Sequence, residues 1–357
     1  MRVVSVVGAR PQFVKLAPVA EALTAGGVDH VIVHTGQHYD SGLSDVFFAD
    51  LHIPAPDVQL AIGSGSHGAQ TGAMLAQLEP VLADARPDWV LVYGDTNSTL
   101  AGTLAAVKIH LPVAHLEAGL RSFNRRMPEE HNRVLTDHAA DLLLAPTTVA
   151  MGHLAHEGLA DRAVLVGDVM TDVCLRVRDA VLARGQEPIA GLAPDSYVVA
   201  TIHRAENTDD PDRLRQVING LATVGAPVLL LAHPRLRARC AEFGIDLESG
   251  SLRVADPLPY PQMVAAVLGS RGVVTDSGGL QKEAYVLGRP CTTVRTETEW
   301  VETLDSGWNV LLPDLEGLSS VALRDAPAGD PPAVYGDGTA AHAVARVLRE
   351  TRDRVTP

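Results

Sequence analysis

The alternation of short apolar runs with helical patterns is the feature of this sequence that most restricts its fold. Runs of strand length rich in Val and Leu recur along the chain, among them RVVSVVG, HVIVHTG, WVLVYGD and PVAHLEAG. Strands that are apolar along their whole length are typical of parallel sheets that helices cover on both faces. The pattern therefore predicts an α/β protein with doubly wound parallel sheets.

The chain is long enough for two such sheets. At 357 residues it exceeds the size at which one core is usual, and a second series of strands and helices starts near SYVVATIHR. We predict an N-terminal domain over residues 1–170 and a C-terminal domain over residues 171–340. Residues 341–357 form an amphipathic helix that could pack on either domain.

The charge and the missing motifs exclude several functions. A formal net charge of −14 argues against a nucleic-acid partner, although a few local cations can still hold a small anionic ligand. No stretch approaches the roughly 18 apolar residues that span a membrane, so we expect a cytoplasmic protein. The sequence contains neither GxGxxG nor a P-loop, and its cysteines and histidines lack metal-site spacing. We therefore expect no cofactor and no metal.

Two loops have residues suited to anions. Gly8 directly follows the first strand and allows a tight turn, and Arg10 with the next helix N-terminus suits a diphosphate. Ser277-Gly278-Gly279 opens a later helix with unobstructed N–H donors, and Glu283 follows within reach of ribose hydroxyls. The alternatives are an ordinary loop with a solvated arginine and a plain N-cap serine.

Acidic side chains and one histidine stand at predicted strand ends. Asp95 and Glu117 both follow apolar strands of the first domain, so we expect them in one crevice, where neighbouring carboxylates can divide acid and base roles. Glu129, next to Glu130, could join them or could only favour the following helix. His203 ends the first strand of the second domain, where it could support a diphosphate or simply pack.

These motifs together resemble the non-hydrolysing UDP-N-acetylglucosamine 2-epimerases. The resemblance extends from residue 1 to about residue 345 and rests on GARPQFVKLAP, HTGQHYD, YGDTNSTLAG, HLEAGLRS, MPEEHNR, TIHRAENTDDP, HPR, TDSGGLQKEA and TETEWVE, in this order. It implies two Rossmann-like domains with a cleft between them, as in glycosyltransferase-B-type proteins. It also implies a last helix that crosses back to the first domain, a UDP-sugar substrate and a homodimer.

The family's chemistry is an elimination of UDP to a 2-acetamidoglucal, followed by re-addition with inversion at C2. The resemblance implies catalytic roles for Asp95, Glu117, Glu129 and His203, without deciding which carboxylate is the base. It also implies that the substrate and its UDP are bound by Arg10, Lys15, Arg133, Ser277, Gly278, Gly279 and Glu283. His38, in HTGQHYD, is a further candidate for a ligand contact.

Some residues depart from the family pattern and leave the sugar open. Many relatives have Arg-Pro where this chain has Trp300-Val301, and Met263 replaces an aromatic residue near the uracil. The segment RSFNRRMPEE resembles the branch that epimerises UDP-2,3-diacetamido-2,3-dideoxyglucuronate, where Arg125 or Arg126 could meet the uronate. We expect UDP-N-acetylglucosamine as the substrate, with this uronate as the alternative. A UDP-sugar glycosyltransferase or a hydrolysing epimerase is the alternative of another class.

Overall fold

The computed structural model describes residues 1–37, 54–185 and 191–355. These residues divide into two compact units. Unit 1 comprises Met1–Val173 together with Val334–Pro357, and unit 2 comprises Cys174–Ala333. Each unit is built on its own parallel sheet.

Unit 1 contains a seven-stranded sheet in the order β3-β2-β1-β4-β5-β6-β7, with every pairing parallel. Its strands are β1 (Arg2–Val7), β2 (Asp29–His34), β3 (Val58–Gln59), β4 (Trp89–Tyr93), β5 (Val113–Leu116), β6 (Leu142–Ala145) and β7 (Ala163–Leu165). The helices are α1 (Arg10–Ala25), α2 (His67–Ala85), α3 (Asn97–Lys108), α4 (Pro128–Ala139), α5 (Thr148–His156), a 3₁₀ turn (Ala160–Arg162), α6 (Val169–Arg184), whose later part lies in unit 2, and the C-terminal helix (Ala340–Val355).

The two faces of this sheet carry different helices. One face packs against α1 and the C-terminal helix, where Leu16 and Leu23 lie in the same core as Val344 and Leu348. The other face packs against α2 and α3. The fully buried Trp89 donates its indole N–H to the carbonyl oxygen of Leu348 at 3.0 Å. The end of the chain is therefore part of the core of unit 1.

Unit 2 contains a six-stranded parallel sheet in the order β10-β9-β8-β11-β12-β13. The strands are β8 (Val198–Thr201), β9 (Val228–Leu231), β10 (Leu252–Ala255), β11 (Gly272–Thr275), β12 (Cys291–Thr293) and β13 (Asn309–Leu311). The helices are α7 (Ala205–Thr208), α8 (Pro211–Ala222), α9 (Pro234–Phe243), α10 (Tyr260–Gly269), α11 (Gly278–Val286), α12 (Glu302–Asp305) and α13 (Leu318–Val321).

Both sheets reverse their strand order at one point. In unit 1 the reversal falls between β1 and β4, and in unit 2 it falls between β8 and β11. Loops diverge at such a switch point and leave a crevice at the carboxyl ends of the strands, where open α/β sheets bind ligands. The predicted fold class, two Rossmann-like units with a returning C-terminal helix, is confirmed. Across the described ranges, every helix is too short or too polar to cross a membrane.

Candidate functional site

Gly8 follows β1 at the switch point of unit 1, and close packing explains why it is glycine. A Cβ atom at this position would overlap the hydroxyl oxygens of Thr35 and Ser98. The backbone of Gly8 does not lie in the left-handed region, unlike that of Gly94. The glycine therefore permits a close approach of neighbouring side chains, rather than a left-handed turn.

Gln12 binds the amide groups of the same loop. Its Oε1 accepts hydrogen bonds from the N–H groups of Gly8 and Ala9 at 2.8 and 2.9 Å, and its Nε2 donates to the Tyr93 carbonyl at 2.8 Å. These two N–H groups are thus satisfied within the protein. Arg10 begins α1, and its side chain lies outside the described part of the structure. A glutamine at the third helical position is the sequence signal for this arrangement.

Lys15 and Glu117 form a buried ion pair. Their side chains are 11% and 12% exposed. Burial alone would lower the pKa of Lys15, but the carboxylates of Glu117, Asp95 and Asp168 outweigh burial and raise it. Glu117 also has a φ of 74°, which is rare for a residue other than glycine. Backbone strain of this kind clusters at functional sites, where the surrounding structure maintains it.

Arg133, on α4, lies between two carboxylates. Its guanidinium pairs with Asp95, whose side chain is 32% exposed, and donates to Glu130 at 3.0 Å. Burial favours a raised pKa for Glu130, but the N–H and O–H of Ser122 and the charge of Arg133 outweigh burial and lower it. Glu130 is therefore a buried anchor for the segment before α4, whereas the adjacent Glu129 is exposed.

Asp95 and Glu129 line one pocket of about 420 Å³ within unit 1. The pocket is also lined by Ala9, Pro11, Gln37, Ser64, Gly65, His67, Gln70, Thr96, Asn97, Pro128 and Asn132. The Glu117 carboxylate lies against the Gly94 backbone, only 3.2 Å from where a Cβ would stand. The structure thus brings Asp95 and Glu129 to one pocket and holds Glu117 against the turn that precedes Asp95.

His203 follows β8 at the switch point of unit 2, and Asp276 orients it. The imidazole Nδ1 lies 3.1 Å from the carboxylate, which also accepts from the backbone N–H groups of His203 and Arg204. Burial favours a raised pKa for Asp276, but His203 and these donors outweigh burial and lower it. The His203 side chain is 40% exposed, although Asp276 lies against its Nδ1. Sequence reasoning quoted Asp276 within its motif and missed this role.

Ser277 and Gly278 begin α11 at the same edge of unit 2. The Ser277 hydroxyl accepts from the Leu280 N–H at 3.4 Å, as an N-cap does. A Cβ at Gly278 would overlap one carboxylate oxygen of Glu299, whose other oxygen accepts from Arg295 at 2.9 Å. Gly279 is exposed. The start of this helix therefore has a carboxylate beside it, at a position that favours negative charge.

Further along α11, two side chains contact other parts of unit 2. Glu283 is half-buried near Tyr260, where burial and this carboxylate raise the pKa of the tyrosine hydroxyl. The Lys282 ammonium lies 4.0 Å from the centroid of the Trp300 ring. Trp300 thus forms a cation–π contact with this lysine.

Within residues 1–37, 54–185 and 191–355, no group of three or more His, Cys, Asp or Glu side chains is arranged to hold a metal ion. The candidate ligand contact His38 lies outside the described residues.

Comparison with known proteins identifies the family. The model of the family described as UDP-N-acetylglucosamine 2-epimerase matches residues 21–349. The chain is 46% identical to the UDP-2,3-diacetamido-2,3-dideoxy-D-glucuronate 2-epimerase of Pseudomonas aeruginosa, over 98% of this chain and 99% of that protein. It is 39% identical to the UDP-N-acetylglucosamine 2-epimerase of Methanocaldococcus jannaschii, over 88% of this chain and 89% of the relative.

A solved structure agrees with both sequence comparisons. The crystal structure of the Methanocaldococcus jannaschii UDP-GlcNAc 2-epimerase in complex with UDP-GlcNAc and UDP matches with a TM-score of 0.86 and 37% identity. The match covers 98% of this chain and all of that one. The family predicted from the motifs is confirmed, and this chain belongs to the UDP-N-acetylglucosamine 2-epimerase family.

Proposed function

We propose that this protein inverts C2 of a UDP-2-acetamido sugar and interconverts UDP-N-acetylglucosamine with UDP-N-acetylmannosamine. The observation that carries the proposal is the acidic cluster at the switch point of unit 1. There Asp95 and Glu117 are each paired with a buried cation, and Glu129 lines the same pocket as Asp95. Membership of the family, and the relatives' names, support the choice of reaction.

The proposed route follows from the low acidity of the hydrogen on C2 of the sugar. The hydrogen on C2 is not adjacent to a carbonyl group, so its direct removal and return is too costly. In the proposed route a carboxylate removes this proton, a double bond forms between C1 and C2, and the C1–O bond breaks with its electron pair leaving on UDP. UDP then adds back to C1 of the 2-acetamidoglucal, while an acid delivers a proton to the opposite face of C2.

Unit 1 is proposed to supply the proton transfers. Asp95, Glu117 and Glu129 are the acid, base and stabilising groups, and the order of their roles is left to experiment. The Lys15 ammonium is paired with the Glu117 carboxylate, and the Arg133 guanidinium is paired with the Asp95 carboxylate, in a partly buried setting. Both cations are also predicted to contact the substrate.

Unit 2 is proposed to hold UDP and to stabilise it as it leaves. His203, oriented by Asp276, donates to the diphosphate, and Arg10 of unit 1 is proposed to share this task. Ser277, Gly278 and Gly279 are proposed to bind phosphate, and Glu283 is proposed to bind ribose. Glu299 stands beside the start of α11, so we expect its carboxylate to move when a phosphate group binds there.

A second candidate substrate is UDP-2,3-diacetamido-2,3-dideoxyglucuronate. It is favoured by the 46% identity to the Pseudomonas aeruginosa enzyme that bears this name. Arg125 and Arg126 are exposed in the segment just before Glu129, where a cation could meet the carboxylate on C6. The chemistry at C1 and C2 is the same for both sugars.

Proton NMR in D2O separates these candidates. Purified protein is incubated with each UDP-sugar, and the C2 proton signal is followed over time. Loss of the signal with appearance of the manno isomer of UDP-N-acetylglucosamine supports the proposal. Exchange only with the diacetamido uronate would replace the first substrate with the second, and exchange with neither would refute 2-epimerisation.

Two variants test the assigned groups. Asp95→Asn is expected to abolish exchange at C2 while UDP still binds, because the remaining UDP contacts are intact. The exposed Asp84→Asn, on α2, serves as the matched control and should exchange at the wild-type rate. His203→Ala is expected to slow formation of the glycal. Normal exchange by the first variant, or undiminished glycal formation by the last, would contradict the corresponding role.

A further inference from the structure

His115 is completely buried on β5, behind the acidic cluster of unit 1. Its Nε2 lies 2.7 Å from the carbonyl oxygen of Gly94, and its Nδ1 lies 2.6 Å from a carboxylate oxygen of Asp137 on α4. Both ring nitrogens therefore face oxygen atoms at hydrogen-bond distance. The side chains of His115 and Asp137 are both inaccessible to solvent.

The partners determine how many protons the ring carries. A carbonyl oxygen can only accept, so Nε2 must donate to Gly94. The other oxygen of Asp137 accepts from the Gly119 N–H at 3.0 Å and pairs with the Arg121 guanidinium at 2.7 Å. These donors hold Asp137 as a carboxylate. Because a carboxylate can only accept, the His115 Nδ1 must donate the hydrogen bond between them. A ring in which both nitrogens donate is an imidazolium.

Neighbouring charges balance this buried cation. Arg121 also forms a two-point contact with Glu157, at 2.8 Å for both hydrogen bonds. From the ring outward, Asp137 on α4, Arg121 after β5 and Glu157 directly after α5 form a chain of charged contacts that alternate in sign. Burial favours a raised pKa for Asp137, but His115 and Arg121 outweigh burial and lower it.

The contact between His115 and Asp137 joins the two turns beside the proposed catalytic carboxylates Asp95 and Glu117. Gly94 has a φ of 63° and immediately precedes Asp95. Gly119 has a φ of 82° and lies two residues after Glu117. His115 binds the first turn and Asp137 binds the second, so their mutual bond connects the backbone beside Asp95 with the backbone beside Glu117.

We infer that His115 is held as a buried imidazolium, and that with Asp137 it is a positioning residue that sets the spacing of Asp95 and Glu117. The positioning part rests on the proposed function, because it assumes that these carboxylates move the C2 proton. The protonation part does not depend on any substrate. A charged donor is stronger than a neutral one, which suits a bond that must hold a turn in place.

The protonation state is tested first, by NMR of protein labelled with ¹⁵N-histidine. One histidine should show two protonated ring nitrogens at pH 8, because both of its ring nitrogens face acceptors. Contacts of its ring protons with the Gly94 α-protons assign it without any substitution. A single protonated nitrogen on this ring would overturn the inference, whatever the protein's activity.

The positioning role is tested with His115→Gln, which can still donate one hydrogen bond but cannot carry the charge. We expect kcat for C2 exchange to fall about 100-fold, as small displacements of catalytic groups do, with KM and UDP affinity close to wild type. His156→Gln, at the exposed end of α5, is the control and should retain the wild-type kcat.

The outcomes of this test are distinct from those of the proposed function. A folded His115→Gln protein with wild-type kcat would refute positioning. Equal losses of kcat and UDP affinity would also refute it, because they indicate a general structural fault. If the variant does not fold, Asp137→Asn with intact folding and wild-type kcat would give the same refutation. If wild-type protein epimerises no UDP-sugar, the proposed function fails, while the NMR result is unaffected.

Discussion

Replacement of Arg133 by methionine tests whether the carboxylates around it depend on its charge. Methionine has a similar length but no charge, so Arg133→Met leaves Asp95 and Glu130 without their shared cation. The Arg133 side chain is 7% exposed, and that of Glu130 is 6% exposed. Water therefore cannot readily replace the lost partner.

The size of the effect follows from this burial. Removal of one partner from a buried ion pair costs about 3–5 kcal/mol, because it leaves a buried charge without compensation. Since Asp95 is about one-third exposed, we expect the lower end, about 3 kcal/mol. For a unit of this size that corresponds to a fall in Tm of about 6–12 °C.

The stability that Arg133→Met loses should depend on pH in a defined direction. The pKa of Glu130 in the folded protein is lower than its ordinary value of 4.5, so its ionisation stabilises the fold above that pH. This stabilisation disappears as the pH falls through the folded-state pKa. Arg133→Met removes the part that comes from Arg133, so the difference between wild type and variant should be largest near pH 7 and smaller below pH 4.5.

Differential scanning calorimetry at pH 7 and at pH 4 measures both effects. Arg346→Met is the matched control, because Arg346 forms an exposed pair with Glu350 on the C-terminal helix of the same unit. The stability lost in Arg346→Met should be within about 0.5 kcal/mol, as is usual for surface ion pairs. A variant with the wild-type Tm at pH 7, or with the same difference at both pH values, would refute the reasoning.

Two further substitutions test the packing of unit 1. Gly8→Ala places a Cβ against the hydroxyl oxygens of Thr35 and Ser98, so thermal unfolding should show a loss of about 1–3 kcal/mol. Gly72→Ala on α2, where a Cβ meets nothing within 4 Å, should be neutral or stabilising, and equal Tm values for the two variants would contradict the packing argument. Trp89→Phe removes the indole N–H that binds the Leu348 carbonyl, so amide hydrogen exchange should quicken across the C-terminal helix. Unchanged protection there would show that this bond does not hold the helix.

Local patterns in the sequence were sufficient to predict the parallel α/β architecture. The strands β1, β4 and β5 are buried along almost their whole length, which is why the sequence shows them as continuous apolar runs. A strand covered on both faces shows no alternation of apolar and polar residues, so its apolar composition and its length identify it. The end of each apolar run also predicted where Asp95, Glu117 and His203 stand.

The division of roles between adjacent residues could not be predicted in this way. Glu129 and Glu130 are neighbours at the start of α4, yet Glu129 lines the pocket while Glu130 is buried under Ser122 and Arg133. Successive residues on a helix point about 100° apart, so the packing of α4 decides which carboxylate is available. Local patterns treat the two as equivalent, and only the resemblance to a family singled out Glu129.

The residues that sequence reasoning missed have partners far away in the chain. Asp276 accepts from His203, 73 residues earlier, and Gln12 donates to the Tyr93 carbonyl, 81 residues later. Both ring nitrogens of His115 have hydrogen-bond partners only because β4 and α4 bring Gly94 and Asp137 to either side of the ring. Periodicity and chain order determined the α/β architecture and the strand ends at which polar groups collect. Which of those groups face a ligand, which hold their neighbours and which carry a proton was decided by contacts that form only after the sheets assemble.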